Sequence, residues 1–116
     1  MPSRSLAVQI PVTIGSLEGC LDFPEGLFKD SNFLIRGLAL VAHPHPLMGG
    51  TMDNKVTQTM AKALNQLGYI TLRTNFRGVG SSAGSFDDGV GETNDLYEVL
   101  DWLQCESSWS GLSGLE

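Results

Sequence analysis

The sequence predicts an α/β fold: an antiparallel hairpin, then a parallel strand-helix-strand unit, then a further helix. Three observations carry the prediction. Residues 7–14 and 17–23 alternate apolar and polar positions around Gly15-Ser16, a hairpin pattern. Residues 38–42 are a short apolar run, 51–67 have helical periodicity, and 69–74 are rich in strand formers. Two strands joined by a helix of this length are most simply parallel, with a right-handed crossover. Their C-terminal ends then share one sheet edge, so His43-Pro44-His45-Pro46 and Asn75-Phe76-Arg77-Gly78 are expected side by side, where open α/β sheets hold ligands.

Each element has its own justification. Pro11 cannot donate to a ladder, so the first strand is expected at a sheet edge or at a bulge. Residues 24–37 read as a loop with an apolar patch at Phe33-Leu34-Ile35. The run 38–42 lacks alternation, which predicts a strand covered on both faces. In the following helix Val56, Met60, Ala63, Leu64 and Leu67 fall on one face and read as core. Asp53 or Asn54 is placed to cap its start, and Gly68 to end it.

The stretch Gly78-Val79-Gly80-Ser81-Ser82-Ala83-Gly84 fits a loose dinucleotide pattern, but Gly84, Gly89 and Gly91 delay the helix whose amides would meet a pyrophosphate. A tight loop needing positive φ angles is the better reading. The last helix is predicted over about residues 93–104, with Leu96, Val99, Leu100 and Leu103 as its buried face. Asp87, Asp88, Glu92 and Asp95 at its start read as a solvated acidic face that meets the helix dipole. Residues 1–104 thus form the structured portion, and 105–116 an irregular tail rich in Ser and Gly.

Composition bounds the function. A chain of 116 residues with 41% apolar content suits one domain with its own core. Seven basic against thirteen acidic residues give a net charge of −6, the wrong sign for a phosphate-binding surface, so nucleic acid is not an expected partner. Gln9 and Pro11 interrupt the early apolar residues, so no secretory or membrane-spanning segment is read there, and cytoplasmic residence is the expectation. Cys20 and Cys105 match no metal or redox spacing and read as two separate buried thiols. No motif calls for a cofactor.

Three motifs in one order carry a resemblance: His43-Pro44-His45-Pro46-Leu47-Met48-Gly49-Gly50-Thr51-Met52-Asp53-Asn54-Lys55, then Asn75 through Gly84, then Gly89-Val90-Gly91-Glu92. Together they resemble the bacterial branch of the α/β-hydrolase superfamily that carries an H-P-H-P loop. The resemblance covers about residues 6–104 and implies the N-terminal half of an α/β-hydrolase fold, with small-molecule ester or related acyl substrates. In that superfamily the next strand leads into G-x-S-x-G, and the acid and His follow later. Gly111-Leu112-Ser113-Gly114-Leu115 has Leu where the last Gly belongs and no strand run before it, so Ser113 is not accepted as the nucleophile. His43 and His45 come too early to be the base. The expectation is a truncated hydrolase that keeps the oxyanion side of a site, lacks the nucleophile elbow and triad, and is inactive alone.

Acyl transfer needs backbone amides aimed at the developing oxyanion, one of them from the loop after this strand. Pro44 and Pro46 have no amide hydrogen, so His45 and Leu47 are the candidate donors, with Gly49 and Gly50 allowing close approach of substrate. His43 reads as a hydrogen-bonded brace, and Arg77 as a clamp on the edge with a lesser claim to contact substrate. Two other classes compete. His43 and His45, with Asp53, would make a metal-dependent hydrolase site, against which two prolines break the strand geometry. Alternatively, strand 38–42 presents an open edge and the chain is a non-enzymatic, self-associating module.

Overall fold

The computed structural model describes residues 4–24, 26, 34–43 and 50–105. Strands β1 (Arg4–Val12), β2 (Gly15–Phe23), β3 (Gly37–Val41) and β4 (Tyr69–Thr74) form one sheet in the order β1-β2-β4-β3. Helix α1 (Lys55–Gln66) joins β3 to β4, and α2 (Val90–Gln104) follows β4. β3 and β4 are parallel, and the other two pairings are antiparallel. The predicted hairpin is present, but Val12 pairs with Gly15, so it turns on Thr13-Ile14 rather than on Gly15-Ser16. β1 lies at the sheet edge, with Pro11 opposite Ser16, where a residue without an amide hydrogen costs least.

Strand alternation gives the sheet two unlike faces. Val8, Ile10, Leu17, Leu21, Phe23, Ile70 and Leu72 pack with Val99 and Leu103 of α2 in one apolar core. The intervening positions Asp22, Thr71 and Arg73 are buried and polar, and they belong to the face that carries α1.

On that face α1 corrects the sequence reading. It meets the sheet through Thr57, Ala61 and Asn65. Val56, Met60 and Leu67 are 64%, 51% and 56% exposed, Ala63 is exposed, and only Leu64 of the predicted stripe is half-buried. The cause is polar. Asn65 Nδ2 donates to the carbonyls of Asp22 at 2.9 Å and Tyr69 at 2.8 Å, and the small Thr57 and Ala61 admit the helix close to the strands. A helix oriented by that amide turns its Met and Leu side chains outward. Gln58 and Lys62 border a recess shared with Ser5 of β1 and Asp22 of β2, so the opposite flank, with Val56, Met60 and Leu67, lies towards β3.

The ends of the helices follow backbone chemistry. Asn54 Oδ1 accepts the Val56 amide at 2.9 Å and so caps α1, and Gly68 with φ +100° lets the chain leave it. α2 begins at Val90, earlier than the sequence reading, and Leu96 and Leu100 are only partly covered beside the buried Val99 and Leu103. Two further readings are corrected. Leu38 of β3 is 37% exposed, so that strand is not covered on both faces among the described residues. Cys105 is exposed at the end of α2, and only Cys20 is even half-buried. No helix among the described residues is long and apolar enough to cross a membrane.

The two faces of the sheet predict unequal losses. Leu72→Ala, in the centre of the core, is expected to lower the unfolding free energy in urea by about 3 kcal/mol, and Met60→Ala by less than about 0.5 kcal/mol. Equal losses would place Met60 in the core after all.

Candidate functional site

Parallel pairing brings the ends of β3 and β4 together, and one hydrogen bond joins them. His43, buried just beyond β3, accepts the Phe76 amide on Nε2 at 3.0 Å, and the two rings lie 4.4 Å apart with a 53° tilt. An accepting Nε2 carries no proton, so the ring proton of neutral His43 is on Nδ1. His43 therefore ties the start of the H-P-H-P motif to the end of β4. A metal ion at Nε2 would have to displace that bond. Asp53, the third residue of the metal reading, is exposed and 3.6 Å from Arg73, and no group of three metal-ligating side chains forms among the described residues.

The segment that begins at Gly50 is held from two sides. Asn75, the first residue past β4, accepts the Met52 amide on Oδ1 at 2.7 Å. Arg73 Nη1 donates to the Met52 carbonyl at 3.1 Å, while its Nε bonds the Asp22 carboxylate at 2.9 Å. Gly50, a candidate for substrate approach, is buried at the head of this anchored segment. His45, Leu47 and Gly49, with Pro44, Pro46 and Ser113, lie outside the described residues.

Asn75 also organises the glycine loop. Its Nδ2 donates to Glu18 Oε1 at 2.8 Å, its amide to the Glu18 carbonyl at 2.8 Å, and its carbonyl accepts the Ser82 hydroxyl at 2.9 Å. Gly78, Gly80 and Gly84 all have positive φ, so the stretch is the tight loop predicted. At Gly80 a Cβ would stand 2.6 Å from Glu18 Oε1 and 2.8 Å from Asn75 Nδ2, which reserves the position for glycine. At nearby Cys20 burial first, then the charge of Asp22, pushes the thiol pKa up and so disfavours the thiolate.

Arg77 clamps the loop to α2. Its Nε and Nη2 bond both oxygens of Asp95 at 2.7 and 2.8 Å, and Nη2 reaches the Gly91 carbonyl at 3.2 Å. Gly91 is required here, because a Cβ would lie 2.3 Å from Arg77 Cζ. Glu92 accepts the Asp87 and Gly89 amides at 2.9 Å each. Both Glu92 and Asp95 are buried, which corrects the reading of the acidic group as a solvated face. The missed signal was in the sequence: Arg77 is the sole cation after Arg73, and four carboxylates follow it within twenty residues.

Known proteins share this fold. An α/β serine hydrolase without a lid from Xanthomonas campestris is 38% identical, with a TM-score of 0.77 over 93% of this chain and 47% of its own. An α/β serine hydrolase homologue from Coxiella burnetii is 44% identical, with a TM-score of 0.73 over 95% and 48% of the two chains. An uncharacterized protein of Rickettsia prowazekii is 58% identical over 80 residues, 69% of this chain and 34% of its own length. Sheet order, helices on both faces and these likenesses define an α/β serine hydrolase fold. The chain belongs to the X-Pro dipeptidyl-peptidase (S15) family, which matches residues 38–113. It spans about half the length of the two solved hydrolases and about a third of the Rickettsia protein.

The Glu92 contacts predict a pH dependence. Burial opposes its ionisation, but the amides of Asp87, Glu92 itself and Gly89, with Arg77 near, outweigh burial and hold the carboxyl below its usual range. With the folded pKa depressed, the unfolded chain binds more protons in acid. The stabilisation is full above the unfolded value of about 4.3 and is lost as pH falls through the folded value. Glu92→Gln is expected to lose about 1 kcal/mol at neutral pH and to melt with a flatter dependence between about pH 5 and pH 3. A variant as acid-sensitive as the parent would remove Glu92 from this account.

Proposed function

We propose that the chain forms the oxyanion-side wall of a serine hydrolase acting on ester or related acyl substrates. The observation that carries this reading is the His43–Phe76 bond, which fixes the first residue of the H-P-H-P motif at the ends of the parallel strands. Acyl transfer is accelerated by amides held in place before the oxyanion develops, and a motif anchored at its first residue suits that need. His45 and Leu47 supply the amides in this reading, Gly49 and Gly50 the close approach of substrate, and Arg77 the clamp. The likeness to two serine hydrolases supports it.

Serine chemistry also needs a nucleophile, a base and an acid, and the one G-x-S-x-G string in these 116 residues, Gly80-Ser81-Ser82-Ala83-Gly84, is no nucleophile elbow: the next helix starts only at Val90, and the buried Ser82 hydroxyl donates to the Asn75 carbonyl at 2.9 Å and accepts the Glu18 amide at 2.8 Å. We therefore expect the isolated chain to hydrolyse short-chain p-nitrophenyl esters no faster than a protein-free control. Turnover that Ser113→Ala abolishes would reverse this reading.

A second reading, self-association, is favoured by the outer edge of β3. Among the described residues β3 ends the sheet, Leu38 is partly exposed, and the apolar flank of α1 lies on the same side. An unpaired strand edge beside exposed Val56, Met60 and Leu67 invites strand addition. Sedimentation is expected to show oligomers that grow with concentration. A monomer at every concentration with one sharp melting transition would exclude it.

A further inference from the structure

We propose that the recess beside Phe76 receives an uncharged aryl or bulky apolar group, which under the acyl-hydrolase reading above is one side of the substrate ester. The recess has a volume of about 480 Å³, and Phe76, Phe86 and Leu96 form its apolar walls. That volume lies in the range of about 300–1,000 Å³ typical of small-molecule sites. Gly89 and Thr93 complete it at the start of α2. Its position ties it to the candidate site. Phe76 is the residue whose amide bonds His43 and whose ring stands 4.4 Å from the imidazole, so the recess opens from the strand end where the H-P-H-P motif begins.

Electrostatics selects the occupant. Asp88 and Glu92 border the recess. Both Glu92 oxygens are engaged by the Asp87 and Gly89 amides, so those donors at the helix start are not available to an anion. The cation on this loop, Arg77, is bound through two nitrogens to Asp95. Among the described residues an anionic group would therefore meet two carboxylates without a compensating cation, whereas a neutral ring meets Phe76, Phe86 and Leu96.

The test uses two probes of one shape, benzyl alcohol and benzoate, added to the full chain while backbone amide NMR signals are followed. Benzyl alcohol is expected to shift the Phe76, Gly89 and Thr93 amides saturably, and benzoate to bind about tenfold more weakly because of like-charge repulsion. Thr93→Trp places an indole at the exposed rim and should abolish the response. Asp88→Asn should narrow the preference for the alcohol, and Asn tolerates the φ of +52° at this position. Equal binding of the two probes, shifts away from the recess, or unchanged binding in Thr93→Trp would overturn the proposal. Binding here needs no turnover, so the two readings fail separately. Absence of this response would sink the recess alone, and turnover that Ser113→Ala abolishes, with the response retained, would sink the oxyanion-side reading alone.

Discussion

The sheet edge at the candidate site depends on one neutral amide, the side chain of Asn75. It faces a backbone donor at Met52 and a carboxylate at Glu18, so it must accept on one atom and donate from the other. Asparagine satisfies both at once. Aspartate would set a second carboxylate against Glu18, and leucine would leave the buried Met52 amide without its partner at a cost of about 1–3 kcal/mol and Glu18 Oε1 with the Ser81 amide alone. Through this side chain the segment leading into α1, the strand β2 and the glycine loop are held at fixed separations. The His43–Phe76 bond can then join two strand ends that are already in place.

The rest of the architecture divides between an apolar and a polar face. The apolar face supplies most of the driving force for folding, because Leu17, Leu21, Ile70, Leu72, Val99 and Leu103 leave water together. The polar face supplies alignment. Arg73–Asp22 and Arg77–Asp95 are both largely withdrawn from solvent, and such pairs contribute little net stability while penalising any displacement that separates them. One pair ties β4 to β2 beneath α1, and the other ties the loop after β4 to α2. They bracket the strand end where the candidate site begins.

Much of this was legible in the sequence because backbone geometry leaves short-range marks. Alternation revealed the hairpin, Pro11 its edge position, the glycines the loop at 78–84, and the parallel-strand rule the meeting of His43 with the Asn75-Phe76 segment. What was not legible depends on contacts between distant residues. The stripe of Val56, Met60 and Leu67 is the widest apolar band on α1, yet the amide of Asn65 reaches two strand carbonyls and rotates that band away. The burial of Glu92 and Asp95 depends on where Arg77 and the loop amides come to rest. Periodicity records how water would sort a helix, and it carries nothing about hydrogen-bond partners on another strand.

The manner in which α1 is fastened makes the two helices unequal as thermodynamic units. α2 shares the apolar core, so exposing its backbone amides to exchange requires opening the core itself. α1 rests on Thr57, Ala61 and the hydrogen bonds of Asn65, so lifting it away breaks polar contacts and leaves the apolar core closed. The segment from Gly50 to Met52 lies between this helix and the firmly held strand end, so a displacement of α1 reaches it first.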